Sequence, residues 1–217
     1  MSLRLRLFYE KRGGACFVPH VALAQIFARS ARRAGLKLSE TEGFSPRPKM
    51  SFGPELPAGV VALCEPVDIH LEPPQDAAAD SLAELWDAQM PRGFYVRGAL
   101  FPAPGSPSLG KECKEALYHV RAAGVSEAAL RESLAATYGT DLLLVTSEFE
   151  DGWFSLVLAS PAQNGVGRWV RGMIEGGLVE GWQNVNIVRA AIGRWNGSEI
   201  ELPGQAGTLM KLLPCRG

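Results

Sequence analysis

The sequence is short of most features that would announce a membrane protein, a metalloprotein or a self-sufficient enzyme. Its longest apolar runs, such as the one in DLLLVTSEF, are strand-sized and far below the ~20 residues that span a bilayer, so no membrane segment is expected. The start, MSLRLRLFYEKR, alternates basic and apolar residues where a secretory signal would build one apolar block, and the expected location is cytoplasmic. Histidine is scarce, at three residues in 217, and the four cysteines (Cys16, Cys64, Cys113, Cys215) have none of the local spacings of zinc or iron–sulfur ligand sets. The thiols are expected to be reduced and mostly buried, and neither a metal nor another cofactor is assigned. There is no Gly-x-Gly-x-x-Gly fingerprint, no P-loop Lys, no Gly-x-Ser-x-Gly elbow and no Cys-His pair of nucleophile spacing. An enzyme active by itself is disfavoured, and no residue is assigned a catalytic role.

Net charge is also small, at −1, but it is unevenly spread. Residues 1–50 hold ten basic side chains against three acidic ones, which leaves the remaining 167 residues at −8. A basic N-terminal quarter attracts phosphates or an acidic protein surface.

Periodicity gives the order of elements. LRLRLFYE sets Leu3, Leu5 and Leu7 against Arg4, Arg6 and Phe8 and reads as a half-buried strand. From His20 to Ala34 the residues Leu23, Ile26, Phe27, Ser30 and Ala31 recur at helical spacing, with Gly35 as the stop. LKLSETEG reads as a short strand, GVVALCEPVDIHLE as a long one, DSLAELWDAQM as a helix capped by Asp80, and GFYVRGALF as a strand. That β-α-β-β-α-β order is the ferredoxin-like one. After FPAPGSPSLG, which breaks all periodicity, the order returns: EALYHVRA, SEAALRESLAATYG, two strands joined at Asp151-Gly152, a Gly-interrupted helix with Asn164 as cap, and NVNIVRAAIGRW. Asn196-Gly197 turns the chain into one more short strand. The expected architecture is α+β, with two ferredoxin-like halves of antiparallel sheet: residues 1–102, a linker at 103–110, and 111–217.

The candidate binding residues cluster early. Arg29, Arg32 and Arg33 share a helix face, either as a solvated surface paired with Glu40 and Glu42 or as a phosphate-binding stripe extended by Lys37, Arg47 and Lys49. Arg4 and Arg6 are better explained by cross-strand pairing with the Asp68, His70, Glu72 strand. In GFSPRPKMSFGPELPAG, Pro46 and Pro48 stiffen the chain and project Arg47 and Lys49, while Phe44 and Phe52 are expected to plug the core at either end. His20, after Pro19, is expected first to hydrogen-bond a helix start or the loop, second to touch a ligand, and least of all to catalyse.

Residues 15–59, ACFVPHVALAQIFARSARRAGLKLSETEGFSPRPKMSFGPELPAG, resemble an uncharacterised bacterial family of radical SAM-linked proteins, and the resemblance as a whole covers about residues 14–72, with weaker pattern-level agreement towards residue 72. That family shows Arg-Phe-Leu-Ser-His-Leu-Asp, then Glu-Arg-Ala-x-Arg-Arg-Ala-Gly, then Gly-Phe-Asn-Pro-His-Pro-Lys-x-Ser-Phe-x-x-x-Leu-Pro-x-Gly. The matching positions include Phe17, His20, Arg29, Arg32, Arg33, Gly35, Phe44, Pro46, Pro48, Lys49, Ser51, Phe52, Pro57 and Gly59. Ala22, Ala28, Cys16 and Arg47 stand where the family has Asp, Glu, Arg and His. If the pattern encodes a catalytic or metal site, this chain keeps only His20 of its ligand-capable set, and chemistry there loses support. The resemblance implies a radical SAM enzyme as partner and no particular reaction. The expectation is therefore an accessory module that binds RNA or another phosphate-bearing substrate through His20, Arg29, Arg32, Arg33, Arg47, Lys49 and Ser51. The alternative is a domain that docks the radical SAM partner without nucleic acid. Tandem ferredoxin-like halves with an early His also resemble the CRISPR-processing endoribonucleases, which would make His20 a metal-independent catalyst, but the glycine-rich loop of those enzymes is not evident in EIELPGQAGTLMK.

Overall fold

The structure, a computed structural model, describes residues 2–72, 77–139, 143–149 and 152–204. Among these residues the chain is an α+β protein with five α-helices and antiparallel strand pairing. It divides into two compact units: Met1–Gly53 with Val61–Lys111, and Pro54–Val60 with Glu112–Gly217.

The first unit runs β1 (Leu3–Lys11), a 3₁₀ turn (Gly13–Phe17), α1 (His20–Arg33), β2 (Met50–Phe52), β3 (Val61–Leu71), α2 (Ala79–Asp87) and β4 (Phe94–Leu100). Its strands lie in the order β4-β1-β3-β2. Leu5, Leu7 and Tyr9 of β1 meet Leu23 and Phe27 of α1, Val67 and Ile69 of β3 and Trp86 of α2 in one core. Phe27 sits at its centre, edge-on to Tyr9 at 5.0 Å and to Phe52 at 5.7 Å.

The opposite face of β1 departs from the half-buried expectation: Arg6, Phe8 and Glu10 are buried as well. Register explains how. Arg6 stands opposite Asp68 on β3 and donates to both carboxylate oxygens, Nε to Oδ1 at 2.6 Å and Nη2 to Oδ2 at 2.9 Å. The carbonyls of Ser106 and Pro107 accept from Arg4, and that of Pro107 also from Arg6. The segment read as a linker is thus tied to β1, and it ends in a short helix, α3 (Leu109–Glu112).

LKLSETEG is not a strand but the start of an excursion. The edge of β3 is shared by two pieces of chain, because Ser39 N–H donates to His70 O and His70 N–H to Lys49 O, with β2 continuing the pairing. Between them residues 39–49 fold into an outward hairpin, held by Lys49 N–H to Ser39 O and Thr41 N–H to Arg47 O, each at 2.8 Å. Pro48, which has no N–H, faces Glu40 at a bridge whose bonds come from the residues on either side. Phe44 at the tip is fully exposed, so it plugs nothing; Phe52, packed on Phe27, is the ring that reaches the core. Phe52→Ala should therefore lower stability by about 3 kcal/mol. Phe44→Ala should leave the thermal melt where it was.

The second unit contains β5 (Glu115–Ala122), α4 (Glu127–Tyr138), β6 (Leu143–Phe149), β7 (Trp153–Ala159), α5 (Val166–Glu175), β8 (Val185–Trp195) and β9 (Ile200–Glu201). Its strands lie in the order β8-β5-β7-β6, with β9 on β8. Ser126 caps α4 by accepting from Ala129 N–H, whereas two expected caps are displaced. Gly165 occupies the cap of α5 instead of Asn164, and Ala78 that of α2, leaving Asp80 in the first turn where its charge meets the positive helix end. Gly152 takes φ 76° in the β6–β7 turn; Glu150, Asp151, Cys215 and the EIELPGQAGTLMK segment from residue 205 lie outside the described residues. Arg189, buried in β8, donates to Pro54 O at 2.8 Å and Glu55 O at 3.3 Å, and Pro57 packs over Gly167. The described cysteines, Cys16, Cys64 and Cys113, are buried, and burial raises the Cys16 and Cys64 thiols.

Two histidines are held towards their neutral forms. Burial lowers the pKa of His119, whose Nδ1 lies 2.9 Å from Ser155 Oγ, and burial followed by Lys49 and Arg4 lowers that of His70, against the pull of Asp68. Below an unfolded value of about 6.5 the unfolded chain binds more protons than the native one, so stability should fall as pH drops through about 6.5 and level off once both folded groups are charged. Urea midpoints across pH 5 to 8 would show it, and His119→Gln should flatten the slope.

Candidate anion-binding site

Helix α1 carries the basic cluster because its pattern leaves one side polar while Leu23, Phe27 and Ala31 are buried. Its end is fixed by a Schellman arrangement: Gly35 at φ 75°, Leu36 N–H to Ala31 O at 2.9 Å and Gly35 N–H to Arg32 O at 3.2 Å. The last turn is therefore well ordered where Arg32 and Arg33 leave the helix. Ser30 Oγ donates to Ile26 O and accepts from Arg33, whose Nη2 also reaches Gln89 O beyond α2.

An open cleft of about 430 Å³ lies against this face. Arg29 and Arg33 contribute from α1 and Arg92 from the turn before β4. Val18, Ile26 and Pro91 supply apolar lining, and no carboxylate takes part. Gly93 lets the Arg92 turn close on the chain after β1. It has φ 90°, its carbonyl accepts from Arg12 N–H at 2.8 Å, and a Cβ there would stand 2.7 Å from Arg12 O and 2.9 Å from Ala15 Cβ.

The sequence-predicted residues divide among three places. Arg29 and Arg33 share the cleft, while Arg32 is exposed on α1 and does not line it. Arg47 and Lys49 are exposed on the hairpin, and Ser51 is exposed on β2 in register with Asp68. His20 opens α1 with its ring edge-on to Phe52 at 5.6 Å, outside the cleft lining. The pairing of the α1 arginines with Glu40 and Glu42 does not form; ion pairs that do form include Arg4 and Arg6 with Asp68, Arg12 and Arg97 with Glu10, and Arg131 with Glu127. The extended strip at 39–49 turns those acids onto its own hairpin. Arg92 was missed by sequence reasoning, although Pro91-Arg92-Gly93 is a turn signal with a cation at its centre.

These features define a small α+β protein that presents three arginines on an apolar-lined surface cleft. Over residues 4–154 the chain matches the family described as an uncharacterized protein conserved in bacteria (DUF2344), and it belongs to that family. The matched span contains both the cleft and the hairpin. No curated protein matches the chain. No helix among the described residues is long and apolar enough to cross a membrane.

Proposed function

We propose that this chain is a non-catalytic module, made of two ferredoxin-like βαββαβ halves, that binds RNA or another phosphate-bearing substrate on behalf of a radical SAM enzyme. The strand orders β4-β1-β3-β2 and β8-β5-β7-β6 support the two halves. The observation that carries the binding reading is the cleft, where Arg29, Arg33 and Arg92 meet with no acid in the lining. Guanidiniums in that setting are matched by phosphate oxygens, which they contact in pairs of hydrogen bonds. The radical SAM partner rests on the sequence resemblance.

Gel-shift titration with structured RNA over a salt series tests it. Binding should weaken with salt, with a log–log slope of about −0.7 per phosphate contact on single strands. Arg29→Glu with Arg92→Glu should reduce affinity by about 100-fold, since each reversal replaces an attraction with a repulsion. Salt-insensitive binding, or unchanged affinity in the folded double variant, would reject the proposal.

A docking domain for the radical SAM enzyme is the second reading, favoured by Phe44 standing fully exposed at the hairpin tip with Phe17 and Val21 exposed in the same unit. Retention of the partner enzyme in a pull-down, lost in Phe44→Ala and indifferent to RNA, would select it.

A further inference from the structure

Resting on the reading of the cleft as an anion site, we infer that its ligand is the terminal phosphomonoester of a nucleotide or short RNA, not an internal phosphodiester. The argument is one of charge, size and surface. An internal phosphate carries a single charge, whereas a terminal monoester carries about −1.5 to −2 near neutral pH and offers three oxygens. Three arginines converge here with no carboxylate in the lining, a surplus that one diester leaves largely unmatched. The donors are also arranged unequally. Arg33 is anchored, with Nη2 given to Ser30 Oγ and Gln89 O, so its remaining N–H groups are fixed in direction. The backbone at Arg92 is positioned by its neighbour Gly93, whose carbonyl accepts from Arg12 N–H. Arg29 follows from its place one helical turn before Arg33. Guanidiniums on two separate elements, one of them anchored, suit a compact, multi-oxygen group better than a backbone that runs past them.

At about 430 Å³ the cleft is large enough to take one nucleotide. Val18, Ile26 and Pro91 give the attached ribose or base an apolar surface beside the charges. Arg47 and Lys49 lie on the hairpin, outside the cleft lining.

The test uses one short RNA in three forms, with a 5′-phosphate, with a 3′-phosphate and with both ends as hydroxyls, titrated by fluorescence anisotropy at one salt concentration. At least one phosphorylated form should bind about tenfold more tightly than the hydroxyl form, and a nucleoside monophosphate should compete where the nucleoside does not. In Arg92→Gln, checked for an unchanged thermal melt, that preference should vanish. Equal affinities for all three forms would overturn this inference and leave RNA binding standing. A preference that survives in both Arg92→Gln and Arg29→Gln would also overturn it, because the phosphate would then sit elsewhere. Absence of binding by every RNA and by the mononucleotide would remove the anion-site reading with it.

Discussion

Asp68→Ala should cost about 3–5 kcal/mol of unfolding free energy, because it strands a buried guanidinium. Arg6 is 0% exposed and Asp68 3%, and the two meet in a bidentate pair directly across β1 and β3. Removing the carboxylate leaves the Arg6 charge where water cannot restore its solvation. Replacing both partners by apolar residues of similar size, Arg6→Met with Asp68→Leu, should return most of the loss, since the desolvation cost of the two ions disappears along with their attraction. The exposed pair Arg131–Glu127, at 2.6 Å, is a control: breaking it should change stability by about 0.3–0.5 kcal/mol. Urea unfolding of the four proteins decides the matter. If Asp68→Ala shifts stability by no more than the control, water reaches Arg6 and the buried-pair account is wrong.

Gly93→Ala should be nearly as damaging, and for two reasons that add. At φ 90° an L side chain is strained by about 1–3 kcal/mol, and its Cβ would press on Arg12 O at 2.7 Å and Ala15 Cβ at 2.9 Å. Backbone at such a distance must move, at a further cost of about 1–3 kcal/mol. Gly35→Ala separates the terms: its φ is 75° but no atom lies within 4 Å of the added Cβ, so it should cost about 1–2 kcal/mol. Moving the 91–94 turn also displaces Arg92, so Gly93→Ala should weaken phosphate binding under conditions where the variant remains folded, and Gly35→Ala should not. Thermal melts and binding isotherms on both variants give the comparison. Equal melts would mean that the turn yields without strain.

The α+β class was legible because the periods of β1, α1 and β3 coincide with elements whose faces differ sharply in polarity. What stayed hidden was set by partners distant in sequence. Nothing in LRLRLFYE says that its charged face is buried; that follows from Asp68, 62 residues away, and from the carbonyls of Ser106 and Pro107. LKLSETEG has the alternation of a strand, but the edge of β3 already accommodates β2, so only its first residues pair before the chain turns outward. Phe44 was misread for a related reason. An aromatic beside Gly and Pro reads as a core plug until the hairpin bonds show which side of the strip it occupies. Arg29 and Arg33 could be chosen from helical spacing alone, whereas Arg92 joins them only through the Gly93 turn.

Residues 54–60 belong to the second unit although the chain on either side of them belongs to the first. During synthesis this strip emerges long before β5, and domains form in the order they are made, at about 5–20 residues per second. The first unit can close once residue 111 is available, while Leu56 and Val60, buried in the finished protein at 6% and 1% exposure, belong to a unit whose remaining residues are not yet translated. The same threading defeats dissection. A fragment ending at residue 111 keeps two apolar side chains with no core to enter, and one starting at residue 112 deprives Arg189 of the Pro54 and Glu55 carbonyls. No single cut therefore yields both units whole, and their stabilities are properties of one uninterrupted chain.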